Sequence, residues 1–299
     1  MKLLITGAWN CTSEQLNQIE AMGHTIVFMQ NEKDSLPCAY EDVEGVICNG
    51  LFLSHPIEKF TSLRYIQLTS AGFDRVPMEK ISARGIKIFN ARGVYSIPMA
   101  EYALWGVLSL YKKARFFEAN RQEKTWDKCR EVFELFGKTV LIVGCGNVGL
   151  ECAKRFKAFG TNMLGVDLAE RQDENFGNVY PFDKLGEALE KADVVVLTLP
   201  LTSQTKGLIS IEMLEKMKEG SLLVNIARGQ IVDENELIKA LKRKLLGAVL
   251  DVFETEPLEK TSELWNLENV IVTPHNSFVG ENNEKRLLKV ILDNLEGCC

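Results

Sequence analysis

Between the β-branched and leucine run 139–143 (TVLIV) and an amphipathic segment, the chain carries Gly144-Cys145-Gly146-Asn147-Val148-Gly149. No other stretch limits its folding so tightly. The spacing is G-x-G-x-x-G at a strand-to-helix passage, which predicts the opening turn of a dinucleotide-binding βαβ unit. Gly144 permits the tight turn, Gly146 lets the backbone approach a pyrophosphate, and Gly149 lets the helix lie close to the strand. A helix expected over about 150–159 turns free N–H groups and a partial positive charge toward phosphates, with Asn147 and Val148 at its start. A second strand, 162–167, ends in Asp167, close to the usual distance of ~20 residues after the glycines. A carboxylate there accepts hydrogen bonds from the adenosine ribose hydroxyls and repels a 2′-phosphate. Leu168 follows where an NADP site would tend to carry a basic residue, although Arg171 is near. The expected cofactor is NAD. Alone, the glycines would be equally compatible with a tight turn that binds nothing.

Short apolar runs alternate with helix-length amphipathic segments along the chain, the pattern of parallel sheets covered by helices. Strands are expected at 2–6, 25–29, 45–48, 65–69 and 86–89, with helices over 13–22 and 78–83. That is a small doubly wound domain. A long helical pattern runs from 97 to about 120, with Pro98 suited to a first turn, and a polar surface loop follows at 121–130. Six stronger runs at 139–143, 162–167, 194–199, 222–226, 247–252 and 270–273 suit a sheet buried on both faces. A last helix is expected over 281–294. The fold class is therefore α/β with two doubly wound domains. Residues 97–279 form a Rossmann dinucleotide-binding domain, and residues 1–96 plus 280–299 a smaller, discontinuous, flavodoxin-like substrate domain.

A net charge of −6, with no block of Lys or Arg, argues against nucleic acid or an anionic membrane as partner. No run approaches the ~20 apolar residues of a membrane span, and the apolar stretch at the N-terminus is too short for a signal peptide. The eight cysteines are scattered, several inside expected strands or helices, which suits free thiols in a reducing cytoplasm. The nearest thing to a metal pattern is the pair Cys298-Cys299, and no metal is expected. There are three histidines, His24, His55 and His275. The first two read as structural.

Three segments at later strand ends hold reactive groups. In 224–229 (VNIARG) a buried strand ends in Arg228, whose guanidinium offers a rigid fork for a carboxylate. The others are 250–258 (LDVFETEPL) and 272–276 (VTPHN). By residue type alone, Arg228 could simply cap a strand and His275 could be structural.

Together with LIVGCGNVG, the stretches 192–209 (ADVVVLTLPLTSQTKGLI), 217–237 (MKEGSLLVNIARGQIVDENEL), 251–258 and 273–275 (TPH) resemble the D-isomer-specific 2-hydroxyacid dehydrogenases. The resemblance covers essentially the full length. It implies an NAD-dependent oxidoreductase interconverting a small D-2-hydroxy acid and its 2-keto acid. Arg228 would bind the substrate carboxylate and reacting oxygen, His275 would be the acid/base, and Glu256, preferred over Glu254, would hold the imidazole. An imidazole titrating near neutrality can protonate a forming alkoxide and reverse the step. The resemblance also implies cofactor contacts at Pro200, Thr205, Ala227 and Asp251, the last at the nicotinamide carboxamide. The backbone N–H groups of Ala71 and Gly72 would hold the substrate carboxylate, with Tyr95 as a pocket wall. It further implies a cleft closing over the reactants, and a homodimer contacting through the 97–120 region. The same family includes corepressor-like proteins, so a non-catalytic NAD(H) sensor is the alternative. Thr198, Glu236 and the run Asn276-Ser277-Phe278 depart from the usual pattern, which bears on the substrate and leaves the reaction type untouched.

Overall fold

The computed structural model describes residues 1–297, so the terminal cysteine pair lies outside the described residues. The chain divides into two units, Met1–Tyr95 with the segment from Gly280 onward, and Ser96–Val279.

In the first unit, five short apolar runs form β1 (Lys2–Thr6), β2 (Thr25–Met29), β3 (Gly45–Cys48), β4 (Tyr65–Leu68) and β5 (Lys87–Phe89). They pair in parallel in the order β2-β1-β3-β4-β5, the flavodoxin-like arrangement. Alternate residues of β1 go to opposite faces. Leu4 joins Met29, Val46, Phe60 and Ile66 on one side. Leu3 and Ile5 join Trp9, Ile19 and Tyr65 on the other. The helix Asn283–Glu296 closes this second face with Leu287, Ile291 and Leu295, spaced four apart on one stripe. Its Arg286 donates to Val94 O at 2.7 Å and its Asn294 to Oε1 of Gln67 at 2.8 Å.

The second unit holds β6 (Thr139–Val143), β7 (Asn162–Asp167), β8 (Arg171–Asp173), β9 (Phe176–Pro181), β10 (Val194–Leu197), β11 (Leu222–Asn225), β12 (Gly247–Leu250) and β13 (Val270–Val272). The sheet order is β13-β12-β11-β10-β6-β7-β9-β8, parallel throughout except for β8 against β9. The order reverses between β6 and β10, and open α/β sheets bind ligands beyond the carboxyl ends of the strands at such a point. At the centre of the sheet β10, β11 and β12 are buried along their whole length and β6 in all but its first residue, as a sheet covered on both faces requires.

Two expectations change. The single helix over 97–120 is two, Ser96–Tyr111 and Ala114–Glu123, broken at Lys113, whose φ is +54°. The break falls where the buried stripe ends: Tyr111 is in the core, whereas Phe116 and Phe117 are exposed. Helix therefore continues to Glu123, into the stretch expected as loop. The pair β8–β9 was not expected, because an edge hairpin carries polar residues between its two buried positions, Phe176 and Val179. Among the described residues, no helix is long and apolar enough to cross a membrane.

Candidate active site

The glycine turn is built from contacts that exclude a side chain. Gly144 has φ +98°, and a Cβ there would lie 2.8 Å from the Leu199 nitrogen. A Cβ on Gly149 would fall 2.2 Å from Gly144 O, so only glycine lets the helix Asn147–Ala158 lie this close to β6. A Cβ on Gly146 meets nothing within 4 Å. The face of Gly146 is thus open, and the first turn of the helix has N–H groups without intrahelical acceptors. An open backbone face beside a helix N-terminus fits a pyrophosphate. Thr198 Oγ1 fastens the turn by donating to Gly144 O at 2.6 Å. This role could not be anticipated at a position singled out only for departing from pattern. Cys145 is buried beneath, its thiol pushed up to about 12 by desolvation and then by the charge of Asp167.

Asp167 ends β7 beside this turn. Its Oδ1 accepts the Leu168 N–H at 2.9 Å, and its Oδ2 pairs with Arg171 at 2.9 Å. Arg171 also donates to Cys145 O at 3.0 Å. The guanidinium therefore ties the acidic strand end to the glycine turn, and the pairing holds Arg171 above its ordinary pKa.

Because β10 to β13 run parallel to β6, the residues after them line one edge of the sheet at steps of about 4.8 Å per strand. Behind β11, the buried Asn225 folds the turn: its Oδ1 accepts the Ala227 N–H at 3.1 Å and its Nδ2 donates to Arg228 O at 3.0 Å. Arg228 is half-buried and its Nη1 donates to Ala227 O at 2.7 Å. A Cβ on Gly229 would collide with the Phe253 carbonyl carbon at 1.9 Å, so the Arg228 turn is pressed against the loop after β12.

That loop carries both candidate glutamates. Glu256 Oε1 accepts the Phe253 N–H at 3.1 Å, and Oε2 lies 2.9 Å from His275 Nδ1. Glu254 turns elsewhere and accepts the Glu234 N–H at 3.2 Å. The ring of Phe278 meets the imidazole edge to face, 6.0 Å between centroids. His275 itself has φ +50°, a left-handed conformation that costs a non-glycine residue about 1–2 kcal/mol.

Several expected contacts are engaged within the chain. Asp251 has no exposed surface. Its Oδ1 accepts from Thr273 Oγ1 and the Asn276 N–H, both at 2.7 Å, and its Oδ2 from the Ser277 N–H at 2.8 Å. With three of its roughly four acceptor directions taken, it holds the loop of His275. Thr205 donates to Pro200 O at 2.7 Å and accepts the Thr202 N–H at 2.7 Å, so its hydroxyl shapes the loop carrying Pro200. Ala227 likewise has both main-chain groups bonded internally.

In the first unit, Ala71 is exposed on the loop after β4. Its carbonyl accepts from Asn90 Nδ2 at 2.6 Å, and that of Gly72 from Ser70 Oγ at 3.1 Å. Tyr95 donates its hydroxyl to Thr69 O, bracing the base of this loop. Burial pushes the phenol up to about 12. His55 is bonded through both ring nitrogens, to Tyr40 and to Glu32 O, and is buried. Among the described residues there is no cluster suited to a metal ion.

A glycine turn at the switch point, an acidic strand end beside it, and an Arg, Glu and His after later strands of the same sheet define a doubly wound unit of the dinucleotide-binding type. Residues 104–277 match the family model for the D-isomer specific 2-hydroxyacid dehydrogenase, NAD binding domain. The chain is 32% identical over 302 residues to D-3-phosphoglycerate dehydrogenase of Methanocaldococcus jannaschii, covering 99% of this chain and 57% of that enzyme. It is 36% identical over 276 residues to glyoxylate reductase of Thermofilum pendens, covering 88% and 78%. The solved structure of D-lactate dehydrogenase from Aquifex aeolicus, complexed with NAD and lactic acid, superposes with a TM-score of 0.80 at 25% identity, covering 99% and 96%. The chain belongs to the D-isomer specific 2-hydroxyacid dehydrogenase family, and its second unit contains that family's NAD binding domain.

Proposed function

We propose that the chain is an NAD-dependent oxidoreductase that interconverts a small D-2-hydroxy acid and its 2-keto acid, with His275 as acid/base. The carrying observation is the contact of 2.9 Å between Glu256 Oε2 and His275 Nδ1. A carboxylate can only accept, so Nδ1 bears the hydrogen and Nε2 is the nitrogen left to exchange a proton with substrate. When bound, the cofactor supplies or takes the hydride at the carbonyl carbon. His275 Nε2 then passes a proton to the substrate oxygen in reduction and recovers it in oxidation, a contribution of typically 10²–10⁴-fold. Arg228 orients the substrate carboxylate through its planar fork. In the first unit, the Ala71–Gly72 loop, braced by Tyr95, offers main-chain donors suited to a carboxylate.

Asp167 supports NAD through its charge at the β7 end, and Gly146 through the open face beside the helix start. The methyl of Ala227 and the ring of Pro200 contribute apolar contact. The exposed Trp105, Phe116, Phe117 and Trp126 support a homodimer through this surface, and the free cysteines support a reducing cytoplasm. The net charge of −6 speaks against nucleic acid.

The test is turnover. Purified protein with NADH is offered glyoxylate, pyruvate, hydroxypyruvate and bulkier 2-keto acids, and oxidation of NADH is followed at 340 nm. One of these is expected to be reduced to its 2-hydroxy acid, with the D configuration where the product is chiral. Tight NADH binding with no turnover on any of them would favour the sensor reading.

A further inference from the structure

We infer that Asp251 is a positioning residue for the reaction, holding the His275 imidazole in place through the main chain, an inference that rests on His275 being the acid/base. Three consecutive N–H groups converge on this one residue. That of His275 donates to Asp251 O at 2.8 Å, and those of Asn276 and Ser277 donate to its carboxylate at 2.7 and 2.8 Å. Successive main-chain N–H groups around a left-handed residue form a concave anion receptor. Here the receptor contains His275, with φ +50°, and its anion is internal. The Thr273 hydroxyl closes the other flank at 2.7 Å.

Asp251 is itself fixed, since its N–H donates to Asn225 O at 3.0 Å. Asn225 is the residue that folds the Arg228 turn. One buried residue therefore links, through its carboxylate on one side and its main-chain N–H on the other, the backbone beneath the proton-transfer group to the backbone beneath the guanidinium. Glu256 sets the rotation of the ring, whereas Asp251 sets where the ring starts. A displacement of about 1 Å in such a group can cost about 10²-fold in rate.

Asp251→Asn keeps the shape, but in either orientation it sets an amide NH2 against a main-chain N–H donor. Thr273→Val is the milder variant, removing only the hydroxyl bond. For each, kcat is measured with the best 2-keto acid, the Kd for NADH by fluorescence titration, and the three imidazoles by NMR. His24 and His55 are internal controls, both in the first unit. Asp251→Asn is expected to lower kcat by about 10- to 100-fold with the Kd for NADH within about threefold. The His275 signals should move while those of His24 and His55 stay. Thr273→Val should move the same signals less, with a smaller loss of kcat. A folded Asp251→Asn with wild-type kcat, or with unmoved His275 signals, overturns the inference. So does a Kd for NADH that rises in step with the fall in kcat while those signals stay, since that marks a direct cofactor contact. If Asp251→Asn does not fold, wild-type kcat and unmoved His275 signals in Thr273→Val overturn it instead. Absence of any wild-type turnover defeats the acid/base reading alone, because the NMR comparison still reads Asp251.

Discussion

Oε2 of Glu256 stands 2.9 Å from Nδ1 of His275 while Oε1 of the same carboxylate takes the Phe253 N–H at 3.1 Å. The carboxylate is thereby fixed before it meets the ring. Its pairing with a half-exposed imidazole acts through orientation more than through stability. Glu256→Gln is accordingly expected to lower kcat by about 10-fold or more with little change in melting temperature. Glu254→Gln, which alters a group facing Glu234, should stay within about twofold of wild type in kcat. Steady-state kinetics on both variants decide between the two glutamates, and equal losses would remove Glu256 from its assigned place.

Asp167 is the carboxylate assigned to the ribose, and it is paired with Arg171. Asp167→Ala removes two acceptors and frees a guanidinium. A hydrogen bond to a charged group is worth about 1.5–3 kcal/mol, so the Kd for NADH should rise about 10-fold or more. NADPH should lose less, because the freed Arg171 can meet a 2′-phosphate. Parallel fluorescence titrations with both cofactors check this, and equal weakening would contradict the ribose assignment.

The two later glycines of the turn separate folding from binding. Gly149→Ala drives a methyl into Gly144 O and should lower the melting temperature. Gly146→Ala meets no protein atom, so the melting temperature of the free protein should hold while affinity for NADH falls. Calorimetry with and without NADH distinguishes them. Retained affinity in Gly146→Ala would mean that the pyrophosphate does not approach there.

Cys145 and Cys152 are buried and their thiols are pushed up to about 12, chiefly by desolvation. At pH 8 both remain protonated, and a protonated buried thiol is a poor nucleophile. Iodoacetamide followed by peptide mass spectrometry should leave both unmodified in the folded protein and label both in denaturant. Labelling of Cys145 in the folded state would contradict the packing under the glycine turn.

Most of the architecture was legible because buried parallel strands read as continuous β-branched runs. Five of the runs nonetheless reached past the strand ends, since Thr69, Leu199, Ile226 and Val252 stay buried after the ladder stops and Thr273 follows directly on β13. The edge pair β8–β9 and the break at Lys113 left no such mark, one being polar and the other lacking glycine or proline. In the site, glycine spacing and the acidic strand end named Gly144 and Asp167, whereas Arg228, Glu256 and His275 took their roles from the family resemblance, since by residue type alone an arginine can cap a strand and a histidine can be structural. What Asp251, Thr205 and Ala227 bond to was not readable. Asp251 meets partners 22 to 26 residues away that only the fold brings together, and the other two are engaged by their own turns.

The most direct measurement is the rate of NADH oxidation by His275→Gln with the best 2-keto acid, beside a titration of NADH binding to the same variant. With His275 as the proton donor, kcat falls at least about 10²-fold while the Kd for NADH stays near wild type. A variant that keeps kcat within a few-fold of wild type would contradict it, and would place the proton donor elsewhere.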